Sequence, residues 1–192
     1  MLESPSHGDD GDLLRLISAG DETAFLAFYN RYQSSVYRFA LQMTGRREIA
    51  EEATQDVFLA VMKGARYDPS RGSLLAFLFG ISRNLVRRCL EKERPYLTLL
   101  DDPESEYAGS MADHHDLVGE LTRSERIEML RKAVLALPEV YREVVVLCDL
   151  HELDYAQAAA ALECAIGTVR SRLHRGRALL MEKMRATERC EV

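Results

Sequence analysis

At 192 residues, with a formal net charge of −6 and apolar residues making up 47% of the chain, the protein has room for one ordinary domain or two small ones, each with a core. Gly 11, Pro 5 and Trp 0, among many Ala, Leu, Glu and Arg, favour helix over strand and point to an all-α fold. Cys89, Cys148, Cys164 and Cys190 are scattered with no C-x-x-C pair, which argues against a zinc site or a secreted disulfide scaffold and fits reduced cytosolic thiols. The opening "MLESPSHGDDGD" is acidic and leads into no apolar run, so neither a signal nor a transit peptide is expected. The most apolar stretch, "LLAFLFGIS", is about half the length a bilayer requires. A cytoplasmic protein without membrane insertion is the expectation.

Charge is segregated along the chain. Residues 1–65 sum to −4, 66–99 to +4, 100–128 to −7, 129–165 to −3 and 166–192 to +4. A polyanion responds to the field within a Debye length of about 8–10 Å, so two basic segments in an acidic chain remain candidates for nucleic-acid contact. The stretch from Pro95 to about Ser124, with Pro103, Gly109, Gly119 and the run "DDPESEY", has no sustained apolar period and reads as a linker. We therefore expect two small helical domains, residues 12–95 and 125–186, joined by a flexible acidic linker over 96–124.

In the first module Asp21 is a good N-cap. After it Phe25, Phe28, Tyr29, Tyr32, Val36, Phe39, Ala40 and Met43 recur at helical spacing, which predicts a long amphipathic helix ending near Gly45. A second helix, about 47–63, stacks Glu48, Glu51, Glu52, Gln55 and Asp56 on one side, where like charges repel; it is either a solvated face or a docking face for a basic partner. "RYDPSRGS" is a turn, and Ser73 caps the helix that follows. On that helix Leu78, Ile81, Ser82, Leu85, Val86 and Cys89 cover one arc. Arg83, Asn84, Arg87, Arg88, Glu91 and Arg94 cover the opposite one, and five of those six can donate hydrogen bonds to phosphates or base edges. Tyr67 and Phe77 offer aromatic surface to unpaired bases, although Phe77 is also a candidate core residue.

In the second module Leu130, Ala133, Val134 and Leu137 mark one helix. Pro138 suits the first position of the next, which buries Tyr141, Val144, Val145 and Cys148. "DYAQ" at 154–157 is a variant capping box, with Asp154 as N-cap. A short Ala-rich helix to about Glu163, the turn "CAI" and a last helix from about Thr168 form a helix-turn-helix pattern. In the last helix Val169, Leu173, Gly176, Leu180 and Met184 point inward. Ser171, His174, Arg175 and Ala178 point outward, flanked by Arg170, Arg172 and Arg177, an arrangement suited to a major groove.

Both modules together resemble the extracytoplasmic-function (ECF) sigma factors of bacterial RNA polymerase, within the sigma-70 superfamily. The resemblance is carried by "AFLAFYNRYQSSVYRFALQMTG", "AEEATQDVFLAV" and "YDPSRGSLLAFLFGISRN" in the first module, and by "LPEVYREVVVLCDLHELDYAQAAAAL" and "GTVRSRLHRGRALL" in the second. It implies a factor that binds core RNA polymerase, directs it to promoters and assists their melting. Region 2 would occupy residues 12–95 and region 4 residues 125–186. It implies that Glu51, Glu52, Gln55 and Asp56 dock on the polymerase. It implies further that Tyr67, Asp68, Ser70, Arg71, Asn84, Arg87 and Arg88 hold the single-stranded −10 element, with one base flipped into a pocket. Ser171, His174 and Arg175 would read the duplex −35 element, and Thr168, Arg170, Arg172 and Arg177 would contact mainly phosphates. A partner anti-sigma factor is implied as well. Two departures stand out: Glu163 occupies a turn position usually held by glycine, and Phe77 stands where tryptophan is frequent.

Other classes fare worse. "DHHD" at 113–116 resembles the Asp-His-His of some metal-dependent phosphoesterases but lacks the preceding strand, and Cys148 with His151 has no further ligands in view. No catalytic residue, metal, cofactor or small-molecule substrate is expected. The alternative is a helix-turn-helix operator-binding regulator that acts without core polymerase. It would leave the acidic stripe and the Arg and Asn face unexplained.

Overall fold

The computed structural model describes residues 7–98 and 123–190. Within them the fold is all-α, as expected. Most of the acidic linker (99–122), including the "DHHD" motif, lies outside the described residues, as does the side chain of Arg94.

The first four helices are α1 (His7–Ser18), α2 (Glu22–Thr44), α3 (Arg47–Met62) and α4 (Leu74–Thr98). Asp21 caps α2 by accepting from the Ala24 N–H at 3.0 Å, which satisfies one of the orphan donors of the first turn. Gly45 ends the helix at φ 68°, a left-handed conformation that glycine adopts without a Cβ penalty. Of the predicted stripe, Phe28, Tyr32, Val36, Phe39, Ala40 and Met43 are buried. Helix α1 is not among the elements the periodicity predicts. It docks through Asp10, 8% exposed, which accepts from Tyr32 Oη at 2.7 Å and Arg31 Nη1 at 3.1 Å. That acid in the opening stretch is therefore structural.

Helices α5 (Arg123–Leu135), α6 (Glu139–Val145), α7 (Tyr155–Leu162) and α8 (Ile166–Cys190) follow. Pro138 is the N-cap of α6, one place ahead of the first helical position expected for it, and its carbonyl accepts from Tyr141 and Arg142. Helix α6 runs on into a π-helical turn, Val146–Leu150. Asp154 caps α7 by accepting from the Gln157 N–H at 2.8 Å. Glu163 takes the left-handed conformation itself, at φ 51° and ψ 44°, at a cost of about 1 kcal/mol for a residue with a Cβ. Helix α8 then starts at Ile166, two residues before the expected Thr168.

The two helical groups share one core. Phe39, Met43 and Phe79 from the first group cluster with Val144, Leu147 and Leu162 from the second. Small residues let the backbones meet: a Cβ on Gly80 would stand 3.3 Å from the Ala161 carbonyl oxygen, and one on Gly45 would stand 2.7 Å from Leu135 Cδ1. The predicted close crossing of the Ala-rich helix is thus used twice, once by α8 and once by α4.

His151 closes the seam. Its ring lies edge-on to Phe79 and Phe39, with centroids 4.7 and 6.0 Å away, and its Nε2 donates to Gln42 Oε1 at 2.8 Å. Burial, aided by the nearby Arg38 cation, pushes its pKa down from 6.5 to about 4. The unfolded chain therefore binds the proton in a window where the folded chain does not. Stability is retained above about pH 6.5 and lost as pH falls toward 4. We expect a loss of about 2 kcal/mol across that window, less than the full shift because solvent still reaches part of the ring. Urea melts of wild type and His151→Phe at pH 7 and pH 5 check this: the variant's stability should change less with pH, and equal slopes would refute a neutral buried imidazole.

Candidate nucleic-acid interface

Three faces carry the residues singled out in the sequence. The first is on α3. Glu51, Glu52 and Gln55 are exposed and Asp56 is half-buried, and the opposite side of the helix buries Ile49, Ala53, Val57 and Val61. Glu51 pairs with Arg47 one turn earlier at 3.4 Å, which offsets part of the repulsion within the stripe.

The second face is the turn before α4 and the outer side of α4. Asp68 accepts from the Ser70 N–H at 2.9 Å and from Ser70 Oγ at 2.7 Å, and these bonds hold its carboxyl below the usual range. Tyr67 Oη donates to the Gly72 carbonyl at 2.9 Å, and its ring sits 5.6 Å from that of Phe77. Gly72, at φ 149°, permits a backbone course that L side chains rarely adopt. The turn is thus held by its own side chains. It opens on a cleft of about 180 Å³ lined by Tyr67, Arg71, Phe77 and Asn84, with Ala160 and Ala161 of α7 on the far wall. Asn84, Arg87 and Arg88 are exposed. Two of the cations nearby face the second group of helices: Arg87 Nε lies 3.3 Å from Glu139 Oε1, and Arg71 Nη2 lies 4.0 Å from Glu163 Oε1.

The third face is on α8. Val169 and Leu173 are buried, while Arg170, Ser171, His174, Arg175 and Arg177 are exposed and Thr168 and Arg172 are half-buried. The seven form a cationic surface directed away from α6 and α7. Not all are equally available. Arg177 pairs with Asp149 of the π-turn through two contacts of 2.5 and 3.1 Å, Arg170 lies 5.7 Å above the Tyr155 ring, and Ser171 Oγ donates to the Thr168 carbonyl at 3.1 Å.

The residues that sequence reasoning missed are those of the seam. Arg83, placed on the solvated arc, turns inward with 14% side-chain exposure and donates from Nε to Glu143 Oε1 at 2.5 Å, where Glu143 is 1% exposed. Arg142 reaches from α6 to the Met43 carbonyl at the end of α2 at 2.5 Å. A signal was present: Arg83 and Arg87 on α4, and Glu139 and Glu143 on α6, are each spaced i,i+4 and opposite in sign. His151, weighed as a metal ligand beside Cys148, packs instead between two phenylalanine rings. Burial, and after it the Asp149 carboxylate, pushes the Cys148 thiol up to about 11. No helix among the described residues is long and apolar enough to cross a membrane.

An all-helical chain whose last two helices form a helix-turn-helix, with a cationic α8 and an acidic α3 on separate faces, defines a nucleic-acid-binding protein with a second, protein-docking surface. Comparison with known proteins gives the same direction. "Sigma-70 region 2" matches residues 28–95 and "Sigma-70, region 4" matches residues 127–180. The ECF RNA polymerase sigma factor SigK of Mycolicibacterium vanbaalenii is 30% identical over 167 residues, covering 85% of this chain and 83% of that one. SigW of Bacillus subtilis, also an ECF RNA polymerase sigma factor, is 26% identical over 182 residues, covering 90% and 95%. Among solved structures, the sigma factor RpoE in complex with the anti-sigma factor NepR from Bartonella quintana is similar at a TM-score of 0.65 and 28% identity, covering 84% of this chain and 96% of that one. The chain belongs to the ECF group of the sigma-70 family.

Proposed function

We propose that the three faces divide the work of a sigma factor among them. The chain directs RNA polymerase to promoters as a regulatory subunit. Glu51, Glu52, Gln55 and Asp56 dock on core polymerase. The turn from Tyr67 to Arg71, with Asn84, Arg87 and Arg88, holds the unwound −10 strand. Ser171, His174 and Arg175 read the −35 duplex, with Thr168, Arg170, Arg172 and Arg177 on phosphates. This work is done in the cytoplasm, and the catalysis of RNA synthesis belongs to the polymerase. An anti-sigma factor is inferred as the inhibitory partner, of the kind that RpoE of Bartonella quintana is found with.

The observation that carries this reading is the occurrence of both sigma-70 regions, in order, on one chain. A lone operator-binding regulator needs only the second. Run-off transcription with purified core polymerase tests it: defined starts should appear only when the chain is added. Duplex binding without association with core would favour the operator-binding regulator instead.

Two substitutions probe the faces separately. Arg175→Ala is expected to weaken binding to a cognate −35 duplex by roughly ten- to a hundredfold and to relax discrimination at one base pair, as loss of a bidentate base contact does. Equal loss on every duplex in an anisotropy titration would assign Arg175 to phosphate. Glu52→Lys with Asp56→Lys is expected to weaken association with core polymerase by roughly tenfold or more, since like charge at a docking face repels the partner. Unchanged affinity in a core-binding titration would remove α3 from that role.

A further inference from the structure

We propose that the seam between the two helical groups is an autoinhibitory latch, in which carboxylates of the second group occupy cations that the first group needs for single-stranded DNA. This rests on the reading of α4 and its preceding turn as the strand-holding face.

The pattern of pairing carries the proposal. Arg83 meets Glu143 at 2.5 Å and Arg87 meets Glu139 at 3.3 Å. Each pair of like residues is four apart on its own helix, so α4 and α6 are linked by two rungs of a ladder in antiparallel sense. At the turn end Arg71 lies 4.0 Å from Glu163, an exposed contact that adds little by itself. In all three the arginine comes from the first group and the carboxylate from the second. A carboxylate and a phosphate satisfy a guanidinium fork in the same way, so the two compete for one set of donors. Asn84 lies between Arg83 and Arg87 in sequence, and it lines a cleft whose other wall is α7. A DNA strand laid along α4 has to displace both α6 carboxylates and the Ala160–Ala161 wall.

The block is selective. The acidic side of α3 and the cationic side of α8 both remain exposed in this arrangement. The closed chain can therefore dock and touch duplex DNA while its strand-holding face is withheld, and that face becomes available when the two groups part. The ion pairs suit such a device, because buried pairs specify one arrangement more than they add net stability. The close approach of Gly80 to Ala161 requires only that no side chain intervene.

The full chain tests this with two variants that open the seam by different means. Glu139→Gln with Glu143→Gln removes both rungs. Gly80→Leu leaves every charge in place and drives a side chain into the Ala161 backbone. Within 4 Å, the three atoms nearest a Cβ at Gly80 all belong to Ala161, and leucine favours helix over glycine, so the first group should still fold. Two measurements are made on each: the radius of gyration by small-angle scattering, and anisotropy binding of a fluorescent random-sequence single-stranded DNA. If the closed form holds about nine-tenths of the population, apparent affinity should rise roughly tenfold in both variants as the radius increases. Wild-type radius and wild-type affinity in both variants would overturn the latch. Tighter binding by the Gln variant alone, without expansion, would also overturn it, since added positive charge would then account for the gain. Expansion of both without any gain in binding would instead overturn the strand-holding reading of α4 on which the proposal rests.

Discussion

Arg83→Met is expected to destabilise the closed chain by about 3–5 kcal/mol, the range for stranding one partner of a buried ion pair. Glu143 is 1% exposed and the Arg83 side chain 14%. Removing the guanidinium leaves a carboxylate in a site walled by Val144, Val145 and Leu147, all fully buried. The chain can escape that penalty by protonating Glu143 or by parting the two groups of helices. In the second case unfolding loses cooperativity, and the denaturant profile should broaden or split. Adding Glu143→Leu to Arg83→Met should recover most of the loss, because an apolar pair of similar volume needs no compensating charge. Urea unfolding followed by circular dichroism checks both. A single variant within about 1 kcal/mol of wild type would mean that water already reaches Glu143.

This pair also marks the limit of what the sequence made legible. Helices α2, α3 and α8 follow from periodicity and caps because both are local: Asp21 and Gly45 bracket α2, and the apolar stripe between them states which side is buried. The outward side of α8 was readable for the same reason, since Val169 and Leu173 define its opposite. Helix α4 is different. It is buried on one side by α2 and α3 and on another by α7, so the arc holding Arg83 reads as solvated when the helix is considered alone. Which polar faces find partners is a property of the tertiary arrangement, and a wheel drawn for one helix has no term for it. Glu143 and His151 were hidden in the same way, each a polar group whose burial depends on a residue more than fifty positions away. The opening acids were read as a solvated start, yet Asp10 is held by Tyr32 and Arg31. The turn at Glu163 was legible as an anomaly, and the left-handed backbone there is the form that anomaly takes. The conformational cost falls where α7 hands over to α8, so the placement of the recognition helix depends on packing strong enough to hold it.

That packing has a weak point that can be tested. Gly176→Leu is expected to cost about 3 kcal/mol, at the upper end of the range for overpacking a filled interior. A Cβ at Gly176 would stand 2.9 Å from Val145 Cγ2 and 3.3 Å from the Tyr141 carbonyl oxygen. The valine is β-branched with few rotamers to retreat into, and the carbonyl belongs to α6 itself. The added side chain therefore moves α8 away from α6, and glycine's helix penalty of about 1 kcal/mol, relieved by the substitution, offsets only part of the strain. Because α8 carries Arg170 to Arg177, a displaced helix should lose duplex binding even where the chain stays folded. The first group of helices touches none of this and should keep its own stability. Thermal melts with anisotropy on duplex DNA separate the two effects. A variant that melts with wild type and binds duplex normally would show that α8 is held by α7 and not by its crossing with α6. The contrast with Gly80→Leu is then diagnostic: leucine on α4 should part the two groups and leave duplex binding intact, whereas leucine on α8 should damage the reading helix and leave the seam closed.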